Sequence, residues 1–146
     1  MSFSIEIDHT PSESDLDIIE KGLDTFTENV AGIDDRKNLT FFLRNDVNEV
    51  IGGATGCYGT YGWLWVSTLW VSDQVRGQGY GIQLLNAIEQ EAAKNGCVNA
   101  YLNSFSFSAV EFYKTQGYTV YAELEDFPPG HSVCSLRKKL ELEKDS

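Results

Sequence analysis

Between Trp65 and Ala92 the chain reads W-V-S-T-L-W-V-S-D-Q-V-R-G-Q-G-Y-G-I-Q-L-L-N-A-I-E-Q-E-A, and the fold is decided by how this stretch divides. Apolar, β-branched and aromatic residues dominate from Trp63 to Val71, which is strand composition. From Ile82 the period changes. Leu84, Leu85, Ile88 and Ala92 recur at three- and four-residue spacing with polar residues between them, the pattern of a one-sided helix. Gly77, Gly79 and Gly81 separate the two, alternating with Gln78 and Tyr80. Glycine at every second position admits backbone conformations closed to other residues and lets a ligand approach the main chain. A helix that starts there presents unpaired N–H donors and a partial positive charge, a natural cradle for phosphate.

Outward from this unit, the elements alternate without linker, repeat or low-complexity segment. Ser4 to Asp8 alternates as a short strand. Ser12 or Ser14 can cap a helix whose buried face would be Leu16, Ile19, Leu23, Phe26 and Val30, ended by Gly32. Leu39 to Arg44 and Val50 to Tyr58 read as antiparallel strands joined by the hairpin Asn45 to Glu49. Gly52, Gly53 and Gly56 are dense for a strand and predict a bulge or a close backbone approach. After the helix, Asn95-Gly96 is a stop signal and Val98 to Leu102 a buried strand. A strand–helix–strand crossover makes that strand parallel to the one ending at Val71. A short helix from about Ser108 to Thr115 follows, then strands Tyr118 to Leu124 and Ser132 to Leu140 around the loop 126–131. The tail 141–146 is charged and expected to fray.

Bulk properties bound the answer. The 146 residues are enough for one domain spanning 1–146, with 42% hydrophobic and 23% charged residues. No basic, apolar leader and no stretch long enough to span a bilayer is visible, so a cytoplasmic protein is expected. Cys57, Cys97 and Cys134 are odd in number and far apart, which favours reduced thiols over disulfides or a metal site. A net charge of −11 argues against nucleic acid and anionic membranes as partners.

Three motifs compete for the glycine turn. A dinucleotide fingerprint needs a third glycine where Ile82 stands and an acidic residue about 20 positions on, and no Asp or Glu lies near Tyr101. A nucleotide-hydrolase phosphate loop needs G-K-[S/T], which Gly81-Ile82-Gln83 does not supply. Gln74-Val75-Arg76-Gly77-Gln78-Gly79 instead resembles the Q/R-x-x-G-x-G/A signature of the GNAT superfamily of N-acyltransferases. Downstream, Ala109-Val110-Glu111-Phe112-Tyr113-Lys114-Thr115-Gln116-Gly117-Tyr118 is similar to that superfamily's A-x-x-F-Y-x-x-x-G-[F/Y]. Ser106 stands where the family often has asparagine, a departure that bears on any asparagine-mediated contact there.

The resemblance covers almost the whole chain and implies an α/β (α+β) GNAT fold. That fold is a mixed, mostly antiparallel sheet whose two central parallel strands splay apart, flanked by helices. It implies acetyl-CoA as co-substrate. Leu69, Trp70 and Val71 would hold the pantetheine arm through the main chain. Arg76, Gly77, Gln78, Gly79, Tyr80, Gly81 and Ile82 would hold the pyrophosphate, and Ser106 would donate a hydrogen bond. Tyr113 stands at the family's general-acid position; a phenol with a reference pKa of about 10 is protonated at neutral pH and can donate to a departing thiolate. For the base, the strand Trp63 to Val71 offers no carboxylate or histidine, leaving water, Asp126 or His131. The expected activity is N-acetyl transfer to a primary amine of a small molecule by direct transfer in a ternary complex, with a homodimer as the family-based expectation. Two other readings stay open: a protein lysine or N-terminal acetyltransferase, and a non-catalytic acyl-CoA sensor.

Overall fold

The computed structural model describes residues 1–143. It divides into two compact units, 1–34 and a second that begins at Asp35. The frayed tail expected at 141–146 lies partly outside the described residues.

The first unit holds helix α1, Glu13–Ala31. Ser12 is its cap: the Ser12 hydroxyl accepts from the Asp15 amide at 3.2 Å, and Gly32, at φ 80°, closes the far end through its N–H to the Glu28 carbonyl. Residues 4–8 form no strand. Alternation alone does not make one, because a strand is stabilised by a paired neighbour. Within its own unit, no residue of α1 is buried. A lone helix has no second element in its own unit against which to bury the expected apolar face.

The second unit is a six-stranded sheet in the order β1-β2-β3-β4-β6-β5. Its strands are β1 (Lys37–Arg44), β2 (Val50–Tyr58), β3 (Trp63–Val71), β4 (Asn99–Phe105), β5 (Thr119–Glu125) and β6 (Ser132–Lys139). Helix α2, Tyr80–Lys94, makes the crossover from β3 to β4, and the short α3, Val110–Thr115, follows β4. All neighbouring strands are antiparallel except β3 and β4, as the crossover requires. The mixed, mostly antiparallel sheet expected from the sequence is therefore present. Strand β4 runs to Phe105, three residues beyond the expected end, because its inward positions continue through Leu102 to the buried Ser104.

The core lies between the sheet and α2. Leu84, Leu85, Ile88 and Ala92 of α2 meet Ala54, Leu64, Val66, Ala100, Leu102 and Leu136 of the sheet. Inside this layer Glu89, only 4% exposed, accepts hydrogen bonds from the Tyr118 hydroxyl and the Lys138 ammonium, each at 2.7 Å. Both carboxylate oxygens are thereby satisfied, the condition for a buried charge. The sequence reading missed this triad, since its members are 20 to 49 residues apart. Strand β2's glycines are explained by close approach. At Gly56, next to the register shift between Thr55 and Gly56, a Cβ would collide with the Trp65 carbonyl oxygen. The thiols are free, with Cys97 and Cys134 buried and Cys57 half-buried.

Candidate active site

Strands β3 and β4 pair only at their beginnings, Trp63 with Asn99, Leu64 with Ala100 and Trp65 with Tyr101. Beyond that point they diverge. Strand β3 remains paired with β2 out to Val71, and β4 with β6 out to Phe105. Each strand thus stays fixed on its outer side while its inner side faces a gap.

The main-chain groups that face the gap follow from the ladder. The Ser72 N–H donates to the Ile51 carbonyl at 2.8 Å, toward β2. Antiparallel alternation then turns the groups of Leu69 and Val71 away from β2 and into the gap. The Val71 carbonyl is occupied by Arg76 Nε at 2.9 Å, which leaves the Val71 N–H as the gap-facing donor at the end of the strand. The Arg76 guanidinium also meets Asp73 at 2.6 Å, so the side chain folds back onto its own loop. This placement favours a role in holding the loop over a free cation reaching for a ligand.

The glycine turn is built as its composition requires. Gly77 and Gly79 sit at φ 78° and 87°, in the left-handed region that glycine adopts without penalty, and Gly79 is the helix cap. The first amide of α2 to find a carbonyl is that of Gln83, on Gly79. Among the described residues, no hydrogen bond is donated by the amides of Gly77 to Ile82 outside the helix ladder, and the helix geometry leaves its first turn unpaired. A row of N–H groups at a helix start, with the dipole behind it, suits an anionic phosphate.

Two cavities occupy the gap. One, of about 750 Å³, is lined by Leu69, Trp70 and Val71, by Arg76, Gly77, Gly79, Gly81 and Ile82 of the turn, and by Phe107, Ser108 and Phe112 opposite. The other, of about 590 Å³, lies between Ser67 and Thr68 on β3 and Asn103 and Phe105 on β4, with Tyr113 in its wall. Leu69, Ser108 and Ala109 line both, so the two adjoin. Each is of the size that small-molecule sites occupy.

Tyr113, on α3, is buried except where it meets the second cavity, and its burial raises the phenol above its ordinary range. Among the described residues its hydroxyl makes no hydrogen bond, which leaves it open to a ligand in the gap. Tyr118, five residues on, is the opposite case: burial first and the Glu89 carboxylate second push it up, and its proton is committed to Glu89.

Of the residues singled out in the sequence, Leu69, Trp70, Val71, Arg76, Gly77, Gly79, Gly81 and Ile82 line one cavity and Tyr113 the other. Gln78 and Tyr80 lie in the same turn but outside the lining. Ser106 is also outside both linings, and its hydroxyl accepts the Ser132 amide at 3.1 Å, bracing β4 against β6. Ser108, which the sequence marks only as the start of the short helix, is the serine that lines both cavities. Neither Asp126 nor His131 lines the second cavity; His131 packs edge-on against Phe107 at 4.8 Å. No cluster of potential metal ligands occurs among the described residues.

Comparison with known proteins agrees with the fold. Residues 7–118 match the model of the acetyltransferase (GNAT) family. The chain is 37% identical over 108 residues to acetyltransferase Atu2258 of Agrobacterium fabrum, covering 74% of this chain and 78% of that one. It is 36% identical over 93 residues to blasticidin-S acetyltransferase of Streptomyces morookaense, covering 63% and 68%. Among solved structures, an acetyltransferase of Bacillus cereus superposes with a TM-score of 0.84 at 32% identity, covering 92% of this chain and 98% of that one.

Proposed function

We propose that this chain, which belongs to the GNAT acetyltransferase family and so uses acetyl-CoA as co-substrate, transfers the acetyl group to the primary amine of a small molecule. The observation that carries this reading is the pair of adjoining cavities in the gap between β3 and β4. One is flanked by unpaired amides and the other is walled by Tyr113. The family match spans residues 7–118, which supports reading 1–146 as one catalytic domain. The relative that acts on blasticidin-S supports a small-molecule acceptor over a protein one. No described helix is long and apolar enough to cross a membrane, in keeping with a cytoplasmic enzyme. A homodimer stays as the family-based expectation.

The residues present fit the co-substrate. The amides from Gly77 to Ile82 would take the diphosphate, and the gap-facing groups of Leu69 and Val71 would take the amides of the arm. Acetyl-CoA supplies an activated acyl carbon and a thiolate leaving group. The Val71 N–H, gap-facing at the end of β3, would donate to the acyl oxygen as negative charge develops there, a contact of the kind that lowers such barriers. Tyr113 would give its phenolic proton to the departing sulfur, and its raised pKa keeps that proton in place across the neutral range. The second cavity has no base in its described wall, so the amine attacks in its neutral form and loses its proton to water. The two adjoining cavities would give each substrate its own space at the same time, which supports direct transfer.

The test is release of free thiol from acetyl-CoA across a panel of amines, with parallel binding titrations. Turnover with a small amine supports the assignment. Tight acetyl-CoA binding without thiol release from any amine would make the protein a sensor. No affinity for acetyl-CoA would remove the reading altogether.

A further inference from the structure

The acceptor cavity differs from the rest of the molecule in charge. The chain carries a net charge of −11, yet none of the described residues lining this cavity is ionised at neutral pH. Tyr113 is its one titratable group, and burial holds that phenol protonated. The other polar groups are hydroxyls and the Asn103 amide. Neighbouring charges are outside the lining and several are engaged. Glu123 accepts from the Ser132 hydroxyl at 2.7 Å, and Arg137 stacks over Tyr121 at 5.6 Å. Glu125, Asp126 and His131 lie around the same end of β5 and β6 but not in the wall.

Its shape has a direction as well. Phe105 and Phe127 line one side with ring centroids 6.1 Å apart, and Phe107 continues the stack beyond Phe105 at 5.2 Å and 5°. Leu124 and Val133 extend this apolar wall. On β4 and β6, the Ser135 hydroxyl donates to Asn103 Oδ1 at 2.6 Å, which leaves the two Asn103 Nδ2 hydrogens available as donors. Donors beside a flat apolar wall suit a ring that carries a carbonyl or a ring nitrogen.

Resting on the acetyltransferase reading, we infer that the acceptor is a flat, weakly basic amine that is already neutral at physiological pH, such as an aryl or heteroaryl amine or a hydrazide. An aliphatic amine with a pKa like that of lysine, about 10.4, is neutral in only about one molecule in 2,500 at pH 7. This cavity offers neither a carboxylate to hold the ammonium form nor a base to deprotonate it. Burying an unpaired ammonium there is strongly unfavourable. The acidic surface of the chain raises the concentration of cations nearby, but that distant field does not replace lost hydration inside the gap. A weakly basic amine meets neither obstacle. In the transfer, the amine nitrogen bonds to the acyl carbon, the carbon–sulfur bond breaks, the Tyr113 proton goes to sulfur, and the nitrogen's proton leaves to water. Water then restores the phenol.

The experiment compares kcat/KM for thiol release from acetyl-CoA at pH 6, 7, 8 and 9. The acceptors are an aniline, an aryl hydrazide, an aralkyl amine of matched ring size, and spermidine. The flat weak bases should vary less than threefold with pH and exceed spermidine at least tenfold at pH 7. The aralkyl amine should gain about tenfold per pH unit, following its neutral fraction. Asn103→Asp places a carboxylate in the wall and should move the ratio of spermidine to aniline upward at least tenfold. Equal or better use of spermidine by the wild type at pH 7, or a flat pH profile for the aralkyl amine, would overturn the inference. Thiol release in that case still upholds the acetyltransferase reading. If no amine gives release, calorimetry with the same amines on the CoA-loaded protein decides. Binding of the flat amines over spermidine supports the cavity's selectivity; binding of spermidine, or of none, overturns it.

Discussion

Arg76 Nε donates to the Val71 carbonyl at 2.9 Å, tying the glycine turn to the end of β3. The Arg76 side chain is 60% exposed and its guanidinium also pairs with Asp73, an exposed contact of little energetic weight by itself. The bond to Val71 matters for position, since it fixes the turn's amides relative to the gap-facing Val71 N–H.

Arg76→Gln should therefore raise the KM for acetyl-CoA about tenfold while changing kcat little, the loss of roughly one charged hydrogen bond. The discriminating measurement is salt dependence. A clamp predicts that the difference between wild type and variant persists at high ionic strength. A direct ion pair with phosphate would be screened away.

Tyr113→Phe should lower kcat by about 100-fold or more, the usual contribution of a general acid, with acetyl-CoA affinity unchanged. The raised phenol pKa places any alkaline loss of kcat from Tyr113 above pH 10. A fall in affinity equal to the fall in rate would show the ring to be a structural wall.

Gly79→Ala and Gly81→Ala should separate backbone conformation from space. Nothing lies within 4 Å of a Cβ at Gly79, but its φ of 87° costs an alanine about 1–2 kcal/mol. Stability and CoA affinity should both fall. Gly81 is an ordinary helical position with only Phe112 Cζ at 3.7 Å, so alanine there should keep or raise stability by up to about 1 kcal/mol. Its methyl enters the cavity wall, so affinity should drop without unfolding. Urea denaturation beside acetyl-CoA titration reads both.

Lys138→Met should cost about 3–5 kcal/mol in urea unfolding, because it strands the buried Glu89 carboxylate with Tyr118 as its remaining partner. Tyr113 and Tyr118 have folded pKa values raised above the unfolded value of about 10. The folded state then binds more protons than the unfolded one at higher pH, so their contribution is complete below about pH 10 and declines above it. Thermal stability should be flat in this respect up to pH 9 and fall beyond pH 10, less steeply in Tyr118→Phe.

Local signals carried much of this. The switch from strand composition to a 3.6-residue period fixed β3, the turn and α2, because both periodicities are properties of neighbouring residues. Eight of the proposed ligand-binding positions could be named for the same reason: they are consecutive or nearly so. Ser106 and Ser108 show the limit. Both are serines two apart after β4, and only the path of the chain sends one to β6 and the other to the gap. Residues 4–8 and the apolar stripe of α1 show another limit, since alternation and amphipathicity state what could be buried and not what covers it.

By itself, then, the sequence determined the family, the crossover unit, the phosphate-suited turn and the position of Tyr113, all written in short-range spacing. The tertiary structure decided where β3 and β4 part, that Arg76 bonds to Val71, and that the cavity beside Tyr113 has no charged group among the described residues of its wall. The first and last of these depend on pairing between strands that meet only after folding, and the Arg76–Val71 bond on how the intervening turn is folded. Residues as far apart as Ser67, Asn103 and Ser135 share one surface solely because the sheet brings them together.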